Sequence, residues 1–438
     1  MSETLESRLP QARLRSPERR QTVLRVECPD DLIGEDHPAR EIWEITGRLD
    51  LAQFFSEVKA VEGQAGRDAT DPRLLVALWL YATTEGVGSA RELDRLCREH
   101  RAYEWLCGGV SVNYHMLSDF RVGHGEALDG LLTQLIVALV QHDLVKVWRI
   151  SQDGTRVRAC AGAGSYRRRE GLRGLQKDAR QHVRRLRRQF EDPAQQAVVS
   201  ARIKGARERA AREREERVTR ALALLPELER RQERLAKKIA AAERAGRLRE
   251  PRVSTTDPEV RVMKMSDGGF RPAVNVQIAS DTESRAILGI DVVSQGVDTG
   301  LSEPMREQVE ARTGRAVRQH LVDGGYLNLS EIERATAQGV DVYVPAKPPR
   351  KKGGRGDRHA PKQGDTPELA AWRERMRSEE GQEIYALRAS TSETINADLK
   401  QNRGLDKLTV RGLGKIRCVA LWAALSYNLV HFGRHWIT

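Results

Sequence analysis

The sequence predicts an α/β core interrupted by a long helical insertion after its first strand, with an all-α domain in front of it. Three observations predict this. Helix-spaced apolar residues with capping signals dominate up to about residue 143. At Val145 the pattern changes to strand alternation. A charge-dense, helix-spaced stretch then separates that strand from strand patterns that resume near Arg271. Of 438 residues, 39% are hydrophobic, 31% charged and 5% aromatic. That is enough apolar residue for a sizeable core and a length suited to roughly two to four domains.

Residues 1–30 hold Arg8, Arg13, Arg15, Arg19, Arg20 and Arg25 with little apolar periodicity, and read as an extended or weakly ordered basic arm. From 31 to 143 the reading is helical. Asp71-Pro72 supplies an N-cap and a proline at the first helical position, opening a helix over 73–84. Ser89 and Glu92 have capping-box spacing and open a second. Gly108-Gly109 breaks the pattern, and helices follow at 113–122 and 126–142, the last with Leu128, Leu131, Leu132, Leu135, Ile136 and Leu139 on one face. Short helices with tight turns fit a helix-turn-helix DNA reader and an ordinary helical bundle equally well.

The segment 145–150 alternates as a strand, and the insertion occupies 166–250. Between Ser165 and Glu250 stand 26 Lys and Arg against 13 Asp and Glu, while the remainder carries 48 and 49. One segment therefore holds the whole basic excess behind the net charge of +12. Such a segment suits phosphate contact, with a solvated charged helix as the alternative. Leu228, Leu235, Ile239 and Ala242 follow coiled-coil steps, and Pro226 is expected to kink or restart the helix. A projecting helical hairpin results, for DNA backbone contact, self-association or both.

The core, 144–165 and 251–438, continues with strands at 271–280 and 286–293, a helix at 302–313, a strand at 320–323, a helix at 330–338 and a strand at 340–344. A basic Gly/Pro-rich loop, 347–366, is expected to be mobile, and helices at 367–401 and 411–432 close the chain. Without the insertion the order is β, β, β, α, β, α, β, α, α. This is the ribonuclease H-like order.

Acidic residues stand at telling places in it. Asp153 is read as following the first strand, Asp323 ends the fourth, and Glu393 lies on the helix after the fifth. In this order the first and fourth strands are neighbours and the late helix crosses their ends, so three carboxylates distant in sequence would meet. Two-metal phosphoryl chemistry requires such hard oxygen ligands, holding two Mg²⁺ or Mn²⁺ ions about 4 Å apart. Asp298, after the third strand, is a candidate support behind the ligands or an auxiliary ligand itself, whereas Asp267 and Asp291 read as turn and strand-edge residues. Gly324-Gly325 allows close approach of the backbone to metal or DNA, or serves a plain turn. Trp372 is read as packing its helix, with stacking of a flipped base as the alternative.

With these motifs the sequence resembles the DDE transposases of bacterial insertion sequences, in the group with a helical N-terminal domain and a Tyr-Arg-Glu-Lys signature around the catalytic glutamate. The likeness runs from about residue 30 to 432 and is strongest at Val61-Glu-Gly-Gln-Ala-Gly-Arg67, 263–277, 322–326 and the Glu393 helix. It implies that Asp153, Asp323 and Glu393 form the metal-binding catalytic triad. It also implies duplex DNA, as terminal repeats and target, for a substrate, and at least a homodimer to synapse two ends. One departure stands out. The signature places three residues between Arg and Glu, whereas Ala389 to Ser392 separate Arg388 from Glu393; the six-residue gap to Lys400 matches. At 100° per residue, Tyr385, Arg388, Glu393, Asn396 and Lys400 still share an arc of about 140°. Arg388 and Lys400 are expected to grip phosphates with Tyr385 beside them, and Asn396 to assist.

No apolar run approaches the ~18 residues of a membrane span. The first residues lack an apolar signal region. The five cysteines are scattered without a C-x-x-C pair, so neither a disulfide framework nor a zinc site is expected. A cytoplasmic, nucleoid-associated place is the expectation.

Overall fold

The computed structural model describes residues 20, 22, 26–58, 60, 68–191, 200–239, 250–347 and 357–437. The basic residues before Arg20, the motif 61–67, Ala242 and the loop residues 348–356 lie outside them.

Among the described residues, seven helices come first: α1 (Pro38–Arg48), α2 (Ala52–Phe55), α3 (Pro72–Thr84), α4 (Ala90–Glu99), α5 (Arg101–Cys107), α6 (Tyr114–Gly123) and α7 (Gly125–Gln141). Their starts follow local chemistry. Asp71 accepts a hydrogen bond from the Arg73 amide at 2.8 Å, Ser89 from Glu92 at 3.4 Å, and Asn113 from both His115 and Met116 at 3.1 Å. The short α5 escaped the sequence reading; it ends where Gly108 turns left-handed, at φ 51°.

The first strand, β1 (Arg149–Arg158), corrects the expected 145–150. Val145 and Val147 are buried, but Val147 has φ 68°, which breaks the pleat before the ladder begins. Asp153 consequently lies inside the strand rather than after it. The insertion opens and closes on a small ladder, β2 (Tyr166–Arg167) against β3 (Val253–Ser254), with α8 (Arg169–Glu191) and α9 (Ala201–Ile239) between. Leu172 with Val218, Ala221, Leu225 and Val253, and farther out Val183 and Leu186 with Ala211, zip the two helices together. Pro226 stands inside α9, which continues past it instead of restarting. Of the expected seam, Leu228 packs on this cluster; the side chains of Leu235 and Ile239 lie outside the described set.

Then come β4 (Arg261–Lys264), β5 (Phe270–Asp281), β6 (Ile287–Val293), α10 (Ser302–Thr313), β7 (Gln319–Val322), α11 (Leu329–Ala337) and β8 (Asp341–Tyr343). They form one sheet in the order β4–β5–β1–β7–β8, with β6 also beside β5. β5 runs antiparallel to β1, β4 and β6, whereas β7 is parallel to β1 and β8. The expected neighbourhood of first and fourth strands is present.

The chain closes with α12 (Pro367–Arg377), α13 (Glu379–Gln401), α14 (Leu413–Phe432) and α15 (Arg434–Ile437). The single helix expected over 367–401 is two, broken at Ser378 (ψ 152°), whose hydroxyl accepts from the Gly381 amide at 3.0 Å. A Cβ on Gly381 would fall 1.8 Å from the Arg375 carbonyl oxygen, so this junction requires glycine. Part of the supposedly mobile loop is anchored as well. His359 accepts from the Ala346 amide at 3.0 Å, and Asp365 pairs with Arg373 at 2.6 Å.

One apolar cluster extends from Ala39 through the sheet to Phe432. At its centre α14 is buried on nearly every side, touching α3, α6, α7 and β6. The N-terminal helices and the sheet therefore share a core. A second cluster, including Leu321, Val342 and Trp372, sits under β7 and β8.

Candidate active site

The parallel pairing of β1 with β7 ends at Gln152 opposite Val322. The next residue on each strand is an aspartate, Asp153 and Asp323, and neighbouring strands run about 4.8 Å apart. Two carboxylates thus stand side by side where β7 stops and β1 continues. Asp323 caps the turn that follows, accepting from the Gly325 amide at 2.8 Å.

Helix α13 lies across this spot. Ser392 bonds Ser151 hydroxyl to hydroxyl at 2.7 Å, which pins the helix to β1. One turn on, Asn396 donates to the Asp153 carboxylate at 2.9 Å, and the Gly154 amide donates to its other oxygen at 3.0 Å. Burial pushes the Asp153 carboxyl up to about 6; Arg388 opposes this, while Asp323 and Asp298 add to it. Lys400 is half buried and held below its ordinary value, first by desolvation, with Asp406 and Asp153 acting in the other direction. Tyr385 is partly buried, its ring 5.9 Å from the Arg388 guanidinium.

Glu393 lies at the rim. It is exposed, with no hydrogen bond or ion pair among the described residues. The helix explains this: Thr391, Ser392, Ile395 and Leu399 take the buried face, and Glu393 is turned about 100° from Ser392. Among the described residues no three His, Cys, Asp or Glu side chains already form a metal cage. The donor chemistry nonetheless fits a hard divalent cation. Asp153 and Asp323 supply oxygen, their mutual repulsion raises Asp153, and a cation would relieve it.

Beneath the pair, on the other face of the sheet, runs a buried polar network that the sequence reading missed. Asp298 is 5% exposed and accepts from Asn275 at 2.7 Å and Gln277 at 3.0 Å, while Arg156 pairs with its second oxygen at 2.8 Å. Gln152 donates to Gln277 at 2.8 Å and to the Leu301 carbonyl at 3.0 Å. The Tyr326 hydroxyl donates to Gln277, and His320 meets Gln152 at 3.1 Å. Asp298 is thus fully engaged as a support. The one available signal was Asn275 and Gln277, polar residues alternating with Val274, Val276 and Ile278; both faces of β5 are covered, so these amides are interior. Trp372 is 1% exposed and donates to the Val344 carbonyl at 3.1 Å, so it packs its helix and is closed to a stacked base.

Residues 349–432 match the family model of the transposase DDE domain, and residues 27–122 match that of a transposase domain (DUF772). These matches support a DDE transposase of an insertion-sequence type. No curated protein and no solved structure matches the chain. The two transposase domains indicate a transposase function. The DDE-domain segment contains Tyr385, Arg388, Glu393, Asn396 and Lys400, whereas Asp153, Asp298 and Asp323 fall outside both matched segments. Among the described residues no helix is long and apolar enough to cross a membrane.

Proposed function

We propose that this transposase binds the ends of its insertion sequence and performs metal-dependent strand cleavage and strand transfer on duplex DNA. Asp153, Asp323 and Glu393 are the ligands in this reading. The observation that carries it is the meeting of Asp153 and Asp323 at the end of neighbouring parallel strands, under the helix that bears Glu393. The strand order, with β5 and β6 antiparallel and β7 and β8 parallel to the central strand, supports a ribonuclease H-like core.

When bound, two Mg²⁺ ions, or Mn²⁺ in their place, would activate the attacking hydroxyl and stabilise the leaving 3′-oxygen. The chain's own residues do the rest. Asn396 and the Gly154 amide orient Asp153, leaving its charge directed at the open side of the sheet. Asp323 is held by its turn. Glu393 is free to swing inward from the rim. Arg388 and Lys400, cations beside Asp153, would hold phosphates next to the scissile bond, with Tyr385 steadying Arg388. Synapsis of two ends calls for at least a homodimer.

Asp153→Asn, Asp323→Asn and Glu393→Gln should each abolish Mg²⁺-dependent cleavage of a labelled end duplex while keeping its binding within a few-fold. Each change removes a charged ligand with almost no change in volume. A variant that still cuts at the wild-type rate removes its residue from the triad. A strand-transfer product with the wild-type protein separates a transposase from a nuclease of the same fold.

A further inference from the structure

The inserted hairpin carries its charge unevenly. On α8, Arg173, Lys177, Arg184 and Arg188 are all exposed and engage no acidic side chain at ion-pair distance among the described residues. At 100° per residue they fall within an arc of about 60°, and at 1.5 Å per residue they span about 22 Å. Arg180 shares the face but pairs with Glu215 at 3.4 Å. Of the acids of α8, Asp178 lies outside the arc, and Glu170 and Glu191 fall on it at the two ends of the helix, flanking the four cations. The stripe is turned away from Leu172, Ala179, Val183 and Leu186, the side chains that bury α8 against α9.

The partner helix is different. Over 205–220, α9 sets Glu208, Glu213, Glu215 and Glu216 among its arginines. Glu208 binds Arg187 and Arg212, Glu213 binds Arg217, and Glu215 binds Arg180. Of the six arginines of α9 in this stretch only Arg212 and Arg217 are paired within the helix, and Arg207, Arg209, Arg214 and Arg220 lie on two separate sides of it with glutamates between them, whereas the unpaired cations of α8 share one arc.

We infer that the outer face of α8 is a DNA-backbone rail, with Arg173, Lys177, Arg184 and Arg188 lying along the phosphates of a duplex. The rail rests on the reading of the chain as a DNA transposase and adds which surface of the arm holds the substrate. Its length covers about six base-pair steps at 3.4 Å each. Four like charges in line attract a polyanion and repel a second copy of themselves. Self-association would instead use the mixed face of α9.

The test uses the full chain with Arg173→Gln, Lys177→Gln, Arg184→Gln and Arg188→Gln combined, all at exposed positions. Binding to a random-sequence DNA duplex, without divalent metal, is followed by fluorescence anisotropy over a salt series. At about 0.9 per phosphate neutralised, the slope of log affinity against log salt should become shallower by about three to four units. A variant with Arg173→Lys, Arg184→Lys and Arg188→Lys should keep the wild-type slope. A slope within one unit of wild type overturns the rail, and an unchanged slope with loss of a dimer in sedimentation gives the face to a second copy. An unchanged slope with full cleavage of end DNA removes the rail and leaves the transposase reading standing. A shallower slope in a protein that never cuts DNA does the reverse.

Discussion

Gly154 shows how closely the strand that carries Asp153 is built around its neighbours. A Cβ at this position would lie 2.3 Å from the Gln277 amide nitrogen and 2.4 Å from an Asp298 carboxylate oxygen. Those atoms are fastened to each other and to Arg156, so none of them yields without breaking a buried hydrogen bond. Gly154→Ala should therefore cost about 1–3 kcal/mol of stability, the range for overpacking. Because Asp153 is the preceding residue, it should also slow cleavage more than it weakens DNA binding. Denaturant midpoints and cleavage rates measured side by side check this; a wild-type midpoint contradicts it. In sequence Asp153-Gly154 looks like a turn, because no apolar residue flags a strand there. The ladder with β5, from Ile150 opposite Asp281 to Arg158 opposite Ala273, overrides that local signal. Glu393 was legible as an acid on a helix, but its place at the rim was not, since that depends on which side of α13 the sheet takes.

At the scale of elements, caps and periods were read well where a helix depends on its own residues. The 302–313 helix is present with those limits, α3 and α4 begin at their expected caps, and α6 lies within a residue of the expected 113–122. Failures occurred where another element decides. The break at Ser378 serves the passage of the chain from one core cluster to the next, and nothing within 367–401 interrupts helical periodicity strongly enough to reveal it. Helix α14 makes the reverse point: its apolar sequence announced burial, but not its partner. Asn428 supplies part of the answer, donating to the Ile287 carbonyl and accepting from the Ile287 amide, both at 2.9 Å. It completes the backbone of β6 at its first residue, on the edge away from β5, where no other described strand pairs with it. Asn428→Ala should leave a buried donor and acceptor unsatisfied and lower stability by about 2–4 kcal/mol, at roughly 1–3 kcal/mol for each orphaned group, with partial overlap. Urea unfolding measures it, and a loss below about 0.5 kcal/mol would mean that water or a shifted side chain replaces the amide.

For the molecule as a whole, the shared core links acid sensitivity to the centre of the fold. His320 on β7 is 2% exposed, and its pKa is depressed from 6.5 to about 3, chiefly by burial and secondarily by Arg306. A histidine with a depressed folded value contributes stability that is complete above pH 6.5 and erodes as the pH falls toward 3. Between pH 6.5 and 5 the erosion amounts to about 2 kcal/mol, at 1.36 kcal/mol per unit. His320→Gln, which keeps an amide within reach of Gln152, should lack that increment. The comparison is between denaturation midpoints at the two pH values. Taking the difference between variants cancels Asp153, whose raised carboxyl works in the opposite sense. Equal acid sensitivity in both proteins would show that His320 is protonated in the fold without penalty.

Local sequence carried the order of the main elements, though not α5, the short strands β2, β3 and β4 or the break at Ser378, together with the basic insertion and the three acids with their places along the chain. All of these are written in local periods, caps and charges that each segment carries alone. Tertiary structure decided the rest. It made β1 start after Val147 and run through Asp153, because strand pairing stabilises a polar stretch that its own residues do not declare. It turned Asn275, Gln277 and Asp298 inward, because the sheet is covered on both faces, and there the Asp298 carboxylate accepts from both amides. It merged the N-terminal helices with the sheet, because α14 is too apolar to be covered by either alone. It left Glu393 at the solvent edge of the site, because a helix buries only one side and Ser392 and Ile395 already occupy it.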